Sequence, residues 1–156
     1  MVDGSVTAGA VGIPGLLASS AELAPALTTV RLGLHVLAAT VWVGGQIVML
    51  GMVPTARRVS AEAPRALANA FARLSWPAYA VLVVTGFWNV ATYHLAAQST
   101  VWKVVLGAKI AVVALAGVGA LLHSRATSRA GLAAWGSIAG LASIAALFMG
   151  ILLAGP

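Results

Sequence analysis

Four long stretches of the chain carry almost no charge, and they limit its possible folds more than any other feature. Each is at least about 20 residues long, the length a helix needs to cross the hydrocarbon core of a bilayer. They occupy residues 27–52, 74–95, 101–122 and 132–154. With 61% hydrophobic and 8% charged residues, the chain also lies far outside the composition of soluble domains. We therefore predict an all-α, multi-pass membrane protein with a single four-helix transmembrane domain over residues 27–156.

Arginines are concentrated in the two connections that follow the first and third stretches. They are Arg57, Arg58, Arg65, Arg73, Arg125 and Arg129. Short loops rich in basic residues favour the cytoplasmic side, so both connections are predicted to face the cytoplasm and both termini the exterior. The net charge of +6 then reflects topology in the cell inner (plasma) membrane, and nucleic acid is not an expected partner.

Two further segments lie outside the predicted spans. Residues 1–26 lack the basic start of a signal peptide and are interrupted by glycine and proline, which predicts an exterior lead-in that can lie on the membrane surface. In the first cytoplasmic loop, Leu67, Ala70, Phe71 and Leu74 recur at helical spacing, which predicts a short interfacial helix, with a solvated linker as the alternative. The short connections between spans predict an antiparallel four-helix bundle.

One face of the first span carries polar side chains into the membrane. Starting from His35, this face passes Trp42, Gln46 and Met49 at spacings of seven, four and three residues. Ionisable residues at membrane depth are costly and usually bind, relay or coordinate something. His35 is predicted to lie about 6 Å below Arg31, which marks the outer interface.

Lys109 on the third span lies at a similar depth, about 9 Å below Lys103, so the two ionisable residues are predicted to share the outer leaflet. Thr85 and Asn89 are four residues apart on the second span, where either one can orient His35 or receive the Lys109 ammonium group. An interhelical hydrogen bond without further function is the alternative for this pair, and outward snorkelling is the alternative for Lys109.

A metal centre in this layer cannot have thiolate ligands, because the chain contains no cysteine. Imidazole and thioether groups are ligands for haem iron and for copper, and the candidates are His35, His94 and Met149. Each also has a simpler interpretation. His35 can be a buried neutral imidazole, His94 an ordinary interfacial residue and Met149 a packing residue.

The residue types in the spans do not favour hydrolytic chemistry in the membrane. The sequence shows no Ser/His/Asp set, no paired carboxylates and no glycine-rich phosphate loop, and all three acidic residues lie outside the spans.

Three of the four spans carry a recognisable order of motifs. The segments "LHVLAATVWVGG", "FARLSWPAYAVLVVTGFWNV" and "VLGAKIAVVAL" resemble the membrane domain of the copper resistance D (CopD) family. The matching positions are His35, the W-V-G-G run at 42–45, the T-G-F-W-N run at 85–89, and Lys109. The same order is similar to that of the HemJ type of protoporphyrinogen oxidase, a likeness that implies a bound haem b with His35 as axial ligand and Lys109 as functional partner.

The main functional hypothesis is a CopD-like redox metal centre, haem b or copper, held between the helices in the outer leaflet, with a role in copper handling or membrane redox chemistry. A haem would use His35 with His94 or Lys109 opposite, and Trp42, Trp88 and Asn89 around the cofactor. Copper would instead follow His35, Gln46, Met49 and Met149.

The sequence also leaves two alternative functional hypotheses. One is a HemJ-like, haem-dependent protoporphyrinogen oxidase with Lys109 as its catalytic residue. The other is a non-catalytic accessory subunit that docks onto a larger membrane complex, or onto a second copy of itself, through glycine and alanine faces. The sequence leaves open whether the protein is an enzyme.

Overall fold

The computed structural model describes residues 25–155, and every element in that range is helical. Four long helices form the fold, and a short 3₁₀ helix, Leu95–Ala97, lies between the second and the third. The long helices are α1, Ala26–Val59; α2, Ala63–Ala91; α3, Thr100–Arg125; and α4, Arg129–Ala154. The predicted exterior lead-in falls outside the described residues except for its last two positions.

All four helices are long and apolar enough to cross a membrane. In the most apolar window of each helix, at most 17% of the residues are buried inside the protein, so most apolar side chains point outward. Leu50 is 77% exposed and Leu152 is 70% exposed. Exposing such a surface to water costs about 25 cal/mol per Å², whereas lipid tails accommodate it. The chain is therefore a multi-pass membrane protein, as its composition predicts.

Where two consecutive helices touch, residue numbers rise along one helix while they fall along the other. Along α1 and α2, His35 meets Thr85, and ten residues later Gly45 lies against Phe71. The same order holds between α3 and α4 at Lys109 and Gly150, Gly119 and Ala139, and His123 and Leu132. The first half of α1, the second half of α2, the first half of α3 and the second half of α4 therefore lie at one end of the molecule, here called the His35 end.

α2 begins earlier than the predicted span of residues 74–95. It is one uninterrupted helix from Ala63, so the helix predicted in the first connection runs directly into the second span. Pro64 lies in the first turn, where its missing N–H costs no hydrogen bond, and Pro77 inside the helix is of the kind that membrane helices tolerate. The segment from residue 67 to residue 74 is helical as its spacing predicts, but no residue there breaks the helix before the apolar part begins.

α2 also ends at Ala91 and not at the predicted Leu95. The Thr92 hydroxyl donates to the Asn89 carbonyl at 2.7 Å, which offers the backbone a local alternative to another helical turn. The remaining helices extend beyond the predicted 27–52, 101–122 and 132–154 by up to seven residues, because polar ends continue helices past their apolar part.

α1 changes its winding near its middle. Ala26–Ala39 is α-helical, Thr40–Gly44 forms a π-helical turn, and Gly45–Val59 is α-helical again. A π turn holds more residues than an α turn, so the spacing of seven from His35 to Trp42 no longer keeps the two side chains on one face. The predicted continuous face is accordingly divided, since His35 bonds to α2 and Trp42 bonds to α4.

Small residues and three aromatic rings fill the region where the helices meet. The buried small residues are Ala38, Ala116, Gly117, Gly119, Ala139, Ala142, Ser143 and Ala146. Such residues allow membrane helices to approach closely. Trp42, which is 4% exposed, packs against Trp76 and Tyr79 with ring centroids 5.8 Å and 4.6 Å away. These three rings, the aromatic cluster, join α1 to α2 beyond the His35 layer.

Candidate functional site

The hydrogen bonds around His35 determine which ring nitrogen carries its proton. His35 Nδ1 lies 2.8 Å from Thr85 Oγ1, and the Thr85 hydroxyl donates to the Val81 carbonyl at 2.6 Å. A hydroxyl has one hydrogen, so with that hydrogen on the Val81 carbonyl the Thr85 oxygen accepts from the imidazole, and we assign the ring proton to His35 Nδ1. The neutral ring then has an unprotonated Nε2 with a free lone pair, which is the arrangement a histidine needs to bind a metal or accept a proton.

One side of the His35 ring faces main-chain atoms of α2, with no side chain between them. A Cβ atom built on Gly86 would lie 3.6 Å from His35 Cε1, so glycine at this position leaves the flank of the ring next to the α2 main chain. His35 itself is partly buried, and Thr85 is only 3% exposed. The imidazole is thus held rigidly from one side by a buried hydroxyl.

Lys109 extends toward the same layer from α3. Its ammonium group lies against Gly150 of α4, where a Cβ atom would come within 2.8 Å of Nζ. The lysine charge acts electrostatically on the His35 ring, which places the two basic groups in one region. Within residues 25–155, Lys109 has no hydrogen-bond or ion-pair partner.

Arg31 and Asn89 lie one turn further toward the His35 end. Arg31 precedes His35 by four residues on α1, and Asn89 follows Thr85 by four residues on α2, so they occupy the next layer of the same interface. The Nε atom of Arg31 and the Oδ1 atom of Asn89 are buried and lack hydrogen-bond partners among the described residues. Unsatisfied buried polar atoms are rare and costly, so this pair marks an incomplete polar site.

The other predicted ligands are less closely placed. His94 is exposed in the turn before Leu95–Ala97, beyond the end of α2, which rises about 9 Å from Thr85 to Ala91. Met149 is partly buried and precedes Gly150, the residue that Lys109 touches. Within the described range, no group of three His, Cys, Asp or Glu side chains is arranged to hold a metal ion.

The predicted cofactor-contacting tryptophans also differ in their surroundings. Trp88 is 38% exposed on α2, whereas Trp42 belongs to the aromatic cluster and donates through Nε1 to Ser143 Oγ at 2.9 Å. Gln46 Nε2 donates to the same Ser143 oxygen at 3.2 Å, beside a cavity of about 30 Å³ that can hold one water. Trp42, Gln46 and Ser143 therefore satisfy one another and form an interhelical network.

His123 has a structural contact in this fold. Its Nδ1 lies 2.8 Å from the Leu132 carbonyl, so it joins the end of α3 to the start of α4 at the end of the molecule opposite His35.

Sequence reasoning missed two parts of the site. Arg31 was taken only as an interface marker, although its spacing of four from His35 was a signal that it shares the face. Nothing in the sequence indicates that Gly150 belongs to the site, because its role depends on contact with Lys109, which lies on another helix. No protein-family model, curated protein or solved structure matches the chain.

Proposed function

We propose that this multi-pass membrane protein binds haem b through His35 at the His35 end of its helices, which the positive-inside bias assigns to the outer half of the inner membrane. The observation that carries the proposal is the hydrogen-bond chain from His35 Nδ1 through Thr85 Oγ1 to the Val81 carbonyl. In that arrangement Nε2 would be the atom that binds the iron. Bound haem would supply one-electron redox chemistry.

The charges around His35 favour haem over a bare copper ion. Arg31 and Lys109 bring positive charge to the layer, and the described residues place no carboxylate there. A copper cation would be repelled, whereas haem b carries two negatively charged carboxylates. Gln46, on the predicted copper route, already donates to Ser143 and to the Trp42 carbonyl.

Each candidate residue has a stated part in this proposal. His35 would be the axial ligand, Thr85 would orient it, and Lys109 would balance negative charge on the cofactor. Trp88 and Asn89 would line the site from α2. The resemblance to HemJ-type oxidases implies the same assignment of His35 and Lys109, whereas the resemblance to the CopD family implies copper.

The first test is the absorbance spectrum of the protein purified in mild detergent from haem-replete cells, before and after reduction with dithionite. We expect a Soret band and an α band that sharpens on reduction. His35→Ala should lose both bands, and added imidazole should restore them in part by occupying the vacated space. His123→Gln is the matched control, since glutamine can still donate to the Leu132 carbonyl, and it should keep the wild-type spectrum.

Two results would overturn the proposal. One is a featureless wild-type spectrum, and the other is a haem spectrum that His35→Ala leaves intact. Copper measured in the same samples distinguishes the competing metal. A colourless, metal-free protein that still assembles with a partner after His35→Ala and Lys109→Ala would favour the accessory-subunit hypothesis.

A further inference from the structure

The His35 end contains positive groups without a described negative partner. Arg31 and Lys109 are both partly buried, and they come from α1 and α3. Glu62 is the single carboxylate side chain among residues 25–155, and it precedes α2 at the far end, about 33 Å of helix away from Thr85. The other two carboxylates of the chain, Asp3 and Glu22, belong to residues 1–24.

The buried atoms that lack hydrogen-bond partners lie in the same region as these positive groups. α1 and α2 run in opposite directions, so one turn back from His35 on α1 corresponds to one turn forward from Thr85 on α2. Arg31 and Asn89 therefore lie in one layer. Arg31 Nε is a buried donor and Asn89 Oδ1 is a buried acceptor, and neither has a hydrogen-bond partner among the described residues.

Because these atoms lie within the membrane, their lack of hydrogen-bond partners is significant. Charged side chains within a bilayer are stabilised by pairing or by facing a polar cavity, and a guanidinium group binds planar oxyanions through two parallel hydrogen bonds. Outward snorkelling can relieve the charge of a terminal group, but it does not satisfy an arginine Nε that is already buried.

From these observations we infer that Arg31, Lys109 and Asn89 form a binding site for an oxyanion, a carboxylate or a phosphate, carried by a ligand at the His35 end. Arg31 supplies the bidentate donors, Lys109 supplies a second positive charge from α3, and Asn89 donates to the bound group through its Nδ2 amide, because its Oδ1 can only accept a hydrogen bond. Identifying the oxyanion with a haem carboxylate rests on the proposed function, whereas a phospholipid phosphate would use the same site without it.

The carboxylate source is tested by titrating protein made in haem-limited cells with haemin and with haemin dimethyl ester, whose carboxylates are uncharged. We expect the wild type to bind the diacid at least about tenfold more tightly, the effect of one charge-assisted pair. Arg31→Gln should lose most of this preference while keeping the His35-dependent Soret band. Lys103→Gln is the matched control, because Lys103 is an exposed basic residue at the same end.

The phosphate source is tested by native mass spectrometry of protein released from bilayers of equal phosphatidylglycerol and phosphatidylcholine. Selective retention of phosphatidylglycerol by the wild type, reduced in Arg31→Gln and Lys109→Gln but not in Lys103→Gln, supports the site with a lipid as its ligand. Protein that shows neither a diacid preference nor Arg31-dependent lipid retention overturns the inference. Absence of any haem binding together with Arg31-dependent lipid retention refutes the proposed function alone.

Discussion

Replacing Gly117 by alanine tests the packing of the aromatic cluster directly. Gly117 lies on α3 beneath the Tyr79 ring, and a Cβ atom there would overlap the tyrosine hydroxyl and come within 2.7 Å of Cζ. The ring has little freedom to move away. Its hydroxyl donates to the Val113 carbonyl at 2.9 Å, and its face packs against Trp42 and Trp76.

The expected loss follows from these contacts. Overpacking costs about 1–3 kcal/mol, and breaking an interhelical hydrogen bond in a membrane protein adds about 0.6 kcal/mol. Alanine recovers about 1 kcal/mol over glycine in a helix, so Gly117→Ala should lower the free energy of unfolding by about 2 kcal/mol. Gly107→Ala is the matched control on the same helix, since nothing lies within 4 Å of its Cβ position. It should be neutral or stabilising by up to about 1 kcal/mol.

The assay is reversible unfolding by sodium dodecyl sulfate in mixed micelles, followed by tryptophan fluorescence, to which Trp42 and Trp76 contribute. The two variants should differ by about 2–3 kcal/mol in unfolding free energy. Combining Tyr79→Phe with Gly117→Ala should recover part of the loss, because the nearest atom is removed and the ring is no longer tied to Val113. Equal stability of Gly117→Ala and Gly107→Ala would refute the position of Tyr79 against α3.

Two further predictions concern hydrogen bonds between helices. A double-mutant cycle of Trp42→Phe and Ser143→Ala should give a coupling energy of about 0.6 kcal/mol and at most about 1.7 kcal/mol, measured in the same unfolding assay. Ser124→Ala removes a serine that bonds only within its own helix and should show no coupling to Trp42→Phe. Thr85→Val should weaken haem binding about 10- to 100-fold in a spectroscopic titration, because His35 loses the acceptor that orients it. Thr40→Val removes a similar threonine without a histidine contact, and a matching loss in that variant would contradict the role of Thr85.

The fold could be predicted from the sequence to the level of four membrane helices. Their existence depends on runs of apolar residues, which are local and unambiguous. Their ends could not be predicted as well, because α2 continues through polar residues at its start and ends at Ala91 where Thr92 bonds back to the helix. Hydropathy identifies the residues that cross the membrane, whereas backbone hydrogen bonding determines the residue at which a helix ends.

The candidate site was predicted in part. Helical spacing placed His35 and Lys109 at one depth and named Thr85 as a possible partner, and the structure brings these three residues into one region. The divided face of α1 was not predictable from spacing, because the π turn at Thr40–Gly44 changes the register between His35 and Trp42. The grouping of Arg31 with Asn89 required the pairing of two helices.

The sequence by itself determined that this chain is a membrane protein with an ionisable layer, since both properties follow from residue type and depth along a single helix. The tertiary structure decided which groups meet there. It joined His35 to Thr85, brought Lys109 against Gly150, and left the buried atoms of Arg31 and Asn89 without partners. These relations depend on how closely small residues let the helices approach and on the register in which they pack, and no single span contains that information.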